Sequence, residues 1–93
     1  MREGKHVVLY VEDDADYQDM VREILEAADF EMVAASSAEE GVRAWEDHKP
    51  DLVIVDLMME EVDAGTSLIT DLRARGCDVP IYMLSSVGDD LAL

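Results

Sequence analysis

Three carboxylates in this chain stand where an apolar run stops. Glu12 and Asp13 follow His6-Val7-Val8-Leu9-Tyr10-Val11, and Asp56 ends the run Leu52-Val53-Ile54-Val55. A hydroxyl, Ser85, closes a further stretch that begins at Val79. Any one of these acids alone reads as a strand terminator or a helix cap. Three acids and a hydroxyl brought to one place form a set of hard oxygen ligands. Such a set suits Mg²⁺, which takes one or two carboxylates, keeps several waters and accepts the phosphate oxygens of a ligand.

Whether they meet depends on the elements that carry them. The run 6–11 is short, continuous and rich in β-branched residues, as expected of a strand buried on both faces. After it, Tyr17, Met20, Val21, Ile24, Leu25 and Ala28 recur at spacings of three and four, which predicts an amphipathic helix capped by Asp14 or Asp16. Phe30 to Ala35 reads as a second strand. Ser36 and Ser37, each followed three residues later by a glutamate, offer overlapping capping boxes for a helix that carries Val42 and Trp45 and stops near Lys49-Pro50. Asp51 to Asp56 is the clearest strand. An acidic loop from Glu60 to Gly65 leads to a helix capped by Thr66 or Ser67, with Leu68, Ile69 and Leu72 inward. Arg73 and Arg75 suit the C-terminal end of its dipole, and Gly76 closes it. Val79 to Ser85 is a fourth strand, and Val87 to Leu93 is expected to open one more helix.

This alternation predicts an α/β fold, a doubly wound parallel sheet built from right-handed βαβ crossovers. In such sheets ligands bind beyond the carboxyl ends of the strands, at the switch point of strand order. If the first and third strands are neighbours, Glu12, Asp13 and Asp56 meet there, with Ser85 on the same edge.

Composition narrows the partners. The chain has 93 residues, with 7 Lys and Arg against 23 Asp and Glu, a net charge of −16, and 49% hydrophobic residues. One domain is expected over residues 1–93, too apolar to be a disordered acidic tail. The charge argues against nucleic acid and anionic membranes and favours cations and basic protein surfaces. No apolar run approaches the ~18–20 residues of a membrane span, and the single cysteine cannot form an internal disulfide; a cytoplasmic location is the expectation. Cys77 reads as incidental in a polar turn, and Met20 and Met83 read as core. Trp45 reads as a packing anchor. His6 and His48 lack metal-binding spacing.

Taken together, Glu12-Asp13, Pro50-Asp51-Leu52-Val53-Ile54-Val55-Asp56-Leu57-Met58 and Val79-Pro80-Ile81-Tyr82-Met83-Leu84-Ser85-Ser86 make the chain resemble the receiver domain of bacterial two-component response regulators, from about Lys5 to its C-terminus. The resemblance implies a flavodoxin-like sheet of order 2-1-3-4, with Asp56 as phosphoacceptor and Ser85 as the switch hydroxyl. It implies Mg²⁺ held by Glu12, Asp13, Asp56 and the backbone carbonyl of Met58. The implied partner is a sensor histidine kinase or phosphotransfer protein, and the domain is a signalling module rather than an enzyme. The physics agrees, because a carboxylate attacks an anionic phosphoryl group poorly unless a cation bridges the two.

Against the family's pattern the domain is expected to be incomplete at its C-terminus, without the fifth strand, the last helix and the lysine that pairs with the phosphate. Lys5 and Lys49 both precede strands, on the opposite edge of the sheet. The fourth strand is then expected to present an uncovered apolar edge open to self-association. Two other readings stand beside this one. One is a receiver-like interaction module that is not phosphorylated. The other is a phosphatase similar to the haloacid dehalogenase superfamily, suggested by Asp14-Ala15-Asp16 and opposed by the Glu12-Asp13 pair intervening after the strand.

Overall fold

The strand β1 (His6–Val11) lies between two neighbours, β2 (Phe30–Ala35) and β3 (Leu52–Asp56), and β4 (Ile81–Leu84) extends the sheet beyond β3. All pairings are parallel and the order is β2-β1-β3-β4, as the sequence predicts. Three helices make the crossovers: α1 (Ala15–Ala27), α2 (Ala38–His48) and α3 (Ala64–Ala74). The computed structural model describes residues 4–56 and 64–84. The expected acidic loop up to Asp63, Ser85 and the last expected helix lie outside the described residues.

The central position of β1 explains its composition. Val7, Val8, Leu9, Tyr10 and Val11 are all buried, so both faces of the strand are covered. Alternation divides them. Leu9 and Val11 join Val53 and Val55 of β3, Trp45 of α2, and Leu68 and Leu72 of α3 in one continuous core. Val8 and Tyr10 point to the other face, with Met32 opposite Val8. Gly41 lets α2 approach closely: a β-carbon there would meet Val11 Cγ2 at 3.1 Å and both Leu68 δ-carbons at 3.3 Å.

Local chemistry sets the helix ends. Asp14 caps α1 by accepting from the Asp16 amide at 2.9 Å. Of the two overlapping capping boxes, Ser37 and Glu40 form the real one. Ser37 Oγ accepts from the Glu40 amide at 3.1 Å, and the Glu40 carboxylate reaches back to the Ser36 amide at 2.8 Å. After α2, Lys49 takes a left-handed conformation and its ammonium lies 4.1 Å from the centre of the Trp45 ring. Gly76, at φ +99°, ends the turn after α3. From α3, Arg73 Nη1 donates to the carbonyls of Cys77 and Val79, both at 3.0 Å, tying the helix to the approach of β4.

Several expectations are corrected. The helix α3 starts at Ala64, so Thr66 and Ser67 lie inside it rather than capping it. Cys77 is buried in the core, not incidental in a polar turn. Met20 and Met83 are exposed rather than core, and the stripe on α1 is only partly used. Val21 and Leu25 are half-buried, whereas Tyr17, Met20 and Ile24 are exposed, Ile24 to 61%. The reason is geometric. Among the described residues α1 has the sheet on one side and no second helix beside it, so only the sheetward part of its stripe is covered. On the β4 edge, Tyr82 is exposed as well. No further strand pairs with β4 among the described residues.

One polar contact aligns β1 with β3 below the core. Asp51 donates its amide to the Val7 carbonyl at 2.7 Å and accepts the Val7 amide on Oδ2 at 2.8 Å. His6 Nδ1 lies 3.6 Å from the same oxygen. The Val7 amide holds the Asp51 carboxyl below its ordinary value. Asp51→Ala is therefore expected to cost about 1 kcal/mol, a drop of about 5 °C in Tm. Because the folded pKa is depressed, this contribution is complete at neutral pH and fades only as the pH falls below about 3.8. Thermal unfolding of the two proteins at pH 7 and pH 3 checks both statements.

Candidate functional site

The register of β1 on β3 decides what happens at their carboxyl ends. Val11 stands opposite Val55, so the next residues, Glu12 and Asp56, emerge side by side. Carboxylate oxygens of Glu12, Asp13 and Asp56 all lie within 4.8 Å of one another, the convergence expected from the sequence. They sit at the switch point of the sheet, where β1 has β2 on one side and β3 on the other. Glu12 and Asp56 are buried, at 4% and 7% exposure, and Asp13 is open to solvent. Met58 and Ser85, the other two residues assigned by resemblance, lie outside the described residues.

Glu12 is held at several points. Its amide donates to the Ala35 carbonyl at 2.9 Å, and its carbonyl accepts from Gln18 Nε2 of α1. The phenol of Tyr10 donates to Oε1 at 3.1 Å, and the Asp14 amide donates to Oε2 at 3.2 Å. Sequence reasoning missed Tyr10, Asp14 and Gln18 as supports. The Tyr10 contact was available in principle, since residues two apart on a strand share a face. The Asp14-Ala15-Asp16 pattern that suggested a phosphatase is explained locally, because the Asp14 side chain is engaged in capping α1.

The electrostatics follow from crowding. Burial, followed by a hydrogen bond and charge repulsion from Asp56, pushes the Glu12 carboxyl up from 4.5 to about 7, even though the Asp14 amide and the Tyr10 phenol favour the ionised form. Burial and the neighbouring Glu12 likewise push the Tyr10 phenol above its ordinary value. Two buried carboxylates at this spacing hold a proton between them or need a cation. The donors are all hard oxygens, one of them solvent-exposed, which fits a hydrated Mg²⁺ better than a transition metal. It is the only such cluster of acids, histidines and cysteines among the described residues.

Comparison with known proteins identifies the family. Residues 8–92 match the sequence model of a family described as the response regulator receiver domain. A probable transcriptional regulator, ycf27, of Guillardia theta is 36% identical over 87 residues, which cover 94% of this chain and 34% of the relative. The transcriptional regulatory protein PrrA of Mycobacterium tuberculosis is 36% identical over 88 residues, covering 91% of this chain and 37% of PrrA. The chain thus spans about a third of the length of these curated relatives. Among solved structures, a response regulator receiver protein from Pseudomonas putida superposes with a TM-score of 0.76 at 28% identity, over 88% of this chain and 69% of the other. A receiver domain described as CheY-like, from Methylobacillus flagellatus, reaches a TM-score of 0.81 at 24% identity, over 95% of this chain and 75% of the other; it bears on the fold alone. Among the described residues no helix is long and apolar enough to cross a membrane.

The raised Glu12 pKa has a measurable consequence in metal-free protein. The folded state keeps a proton up to about pH 7 that the unfolded chain releases near 4.5, so stability falls as the pH rises between those values. Urea unfolding in a chelator is expected to show the wild type losing on the order of 1–2 kcal/mol more than Glu12→Gln between pH 5.5 and pH 8. Parallel curves for the two proteins would contradict it.

Proposed function

Since this chain belongs to the response regulator receiver family, we propose that it is a phosphoacceptor domain of a two-component or phosphorelay system, with Asp56 as the residue phosphorylated. The observation that carries the reading is the convergence of Glu12, Asp13 and Asp56 within 4.8 Å at the carboxyl edge of the sheet. The donor is a phosphohistidine on a sensor histidine kinase or phosphotransfer protein.

An Asp56 carboxylate oxygen attacks phosphorus, an acyl phosphate bond forms, and the phosphorus–nitrogen bond breaks with the imidazole as leaving group. The difficulty is charge, because a buried carboxylate must meet an anionic phosphoryl group. Bound Mg²⁺ would offset that charge and orient the phosphoryl oxygens. Glu12, Asp13, Asp56 and the Met58 carbonyl would hold it. The burial of Asp56 limits access of water, which favours transfer to the carboxylate over hydrolysis. The Ser85 hydroxyl would then turn toward the new phosphate, a local charge event that biases a two-state surface. The domain acts as a signalling module, and the regulatory output named for its relatives would lie in chain beyond the receiver.

The alternative reading is a receiver-like interaction module without phosphorylation. Both lysines lie at the far end of the strands from the acids, Lys5 with its Nζ 3.9 Å from Asp29 and Lys49 against Trp45.

Intact mass after incubation with acetyl phosphate and Mg²⁺ separates the two. A gain of one phosphoryl group is expected in the wild type, none in Asp56→Asn, and a strongly reduced gain in Asp13→Asn. Absence of any gain in the wild type, with correct folding by circular dichroism, would leave the interaction module.

A further inference from the structure

We propose that Tyr10 is a positioning residue for the acidic site, bracing the Glu12 carboxylate in the orientation that receives a divalent cation. This rests on the reading of the site given above and extends it to a residue of the central strand.

Tyr10 lies in the middle of the sheet at 2% exposure, where an aliphatic residue would satisfy packing alone. A buried phenol needs a hydrogen-bond partner. Among the described residues its partner is Glu12 Oε1, at 3.1 Å. The opposite carboxylate oxygen, Oε2, is engaged by the Asp14 amide at 3.2 Å. One donor on each oxygen sets the plane of the carboxylate and restrains a side chain that otherwise turns freely about its bonds.

Each oxygen has two lone-pair directions, so the two donors leave room for the hydrogen bond shared with Asp56 and, where a cation displaces that proton, for the cation or its water. Both donors are neutral, and neither competes for the site as a lysine or arginine would. They stabilise negative charge at Glu12 while leaving the net charge seen by a cation unchanged. The arrangement also links two sequence choices. A glutamate at the first acidic position has one more methylene than an aspartate, and the phenol two residues earlier on the same face meets the reach that this methylene adds. An aspartate in place of Glu12 would draw its oxygens away from the phenol and lose the brace.

Isothermal titration calorimetry of metal-free protein with Mg²⁺ tests the idea. Tyr10→Phe keeps the ring and removes only the hydroxyl, and is expected to weaken Mg²⁺ binding about tenfold. In a Glu12→Asp background the same substitution should change the affinity less than about twofold, because the bond it removes is already gone. Phosphorylation by acetyl phosphate gives a second readout: Tyr10→Phe should raise the Mg²⁺ concentration for half-maximal rate by a similar factor and leave the rate at saturating Mg²⁺ unchanged.

Wild-type affinity in Tyr10→Phe, together with loss of binding in Asp13→Asn, would overturn the positioning role and leave the site reading intact. An equal loss in the wild-type and Glu12→Asp backgrounds would mean Tyr10 acts through general packing, and would overturn the role too. Failure of the wild type to bind Mg²⁺ at all would remove the site reading and the role with it. Should Tyr10→Phe fold poorly, Glu12→Asp alone breaks the same bond from the other side and must show the weakened binding by itself.

Discussion

Everything at the acidic edge depends on the parallel alignment of β1 with β3. Parallel strands end at the same edge of a sheet, and this register places Val11 against Val55, so that the residues which follow them are carboxylates facing each other. Asp51 secures the alignment at the opposite end, exchanging two hydrogen bonds with Val7. Between these points the two strands contribute Leu9, Val11, Val53 and Val55 to one core. The apolar burial of that core is what allows Glu12 and Asp56 to be held close despite their repulsion. A site that repels itself has to be built on rigid elements, and here both acids follow directly from central strands.

The two faces of the sheet are unequal. On one, α2 and α3 pack on each other and on β1 and β3, and Gly41, Leu68 and Val11 come within van der Waals limits. On the other, Val8, Tyr10 and Met32 are buried, and α1, packed on β2, turns Tyr17, Met20 and Ile24 to solvent. The site draws on both faces. Asp56 ends a strand rooted in the α2–α3 core, while Glu12 is restrained by Tyr10 from the α1 face and by Gln18 from α1 itself. A shift of α1 along the sheet would therefore be felt at the Glu12 main chain. Physical continuity of this kind links the packing of a helix to the geometry of a site.

The strong negative charge acts in two ways. Over the surface it discourages anionic partners and leaves basic ones favoured. At the edge of the sheet it concentrates carboxylates for which a cation is the natural counterpart. Membership of the receiver family is the common setting of both facts. The curated relatives are about three times as long as this chain, and what they regulate belongs to their full length.

Much of this was legible in the residues alone. Continuous β-branched runs cut off by acids predict buried parallel strands with acids gathered at their ends, because periodicity and burial are tied by the geometry of the backbone. Capping signals at Asp14 and Ser37 and the turn at Gly76 are local, and local hydrogen bonding settles them. The start of α3 was not legible, since Thr66 and Ser67 are good caps by residue type and yet lie inside the helix. The exposure of Met20 and Ile24 and the burial of Cys77 were equally hidden: an amphipathic stripe says which side of a helix is apolar, not how much of it a neighbour covers. Tyr10 reads in sequence as one more core residue of a strand. Its hydroxyl meets the Glu12 carboxylate only because that side chain is turned back over its own strand. The residues alone specify the elements and the kinds of atom at their ends. Which of those atoms meet is settled in the folded chain, because the contacts join residues far apart in sequence.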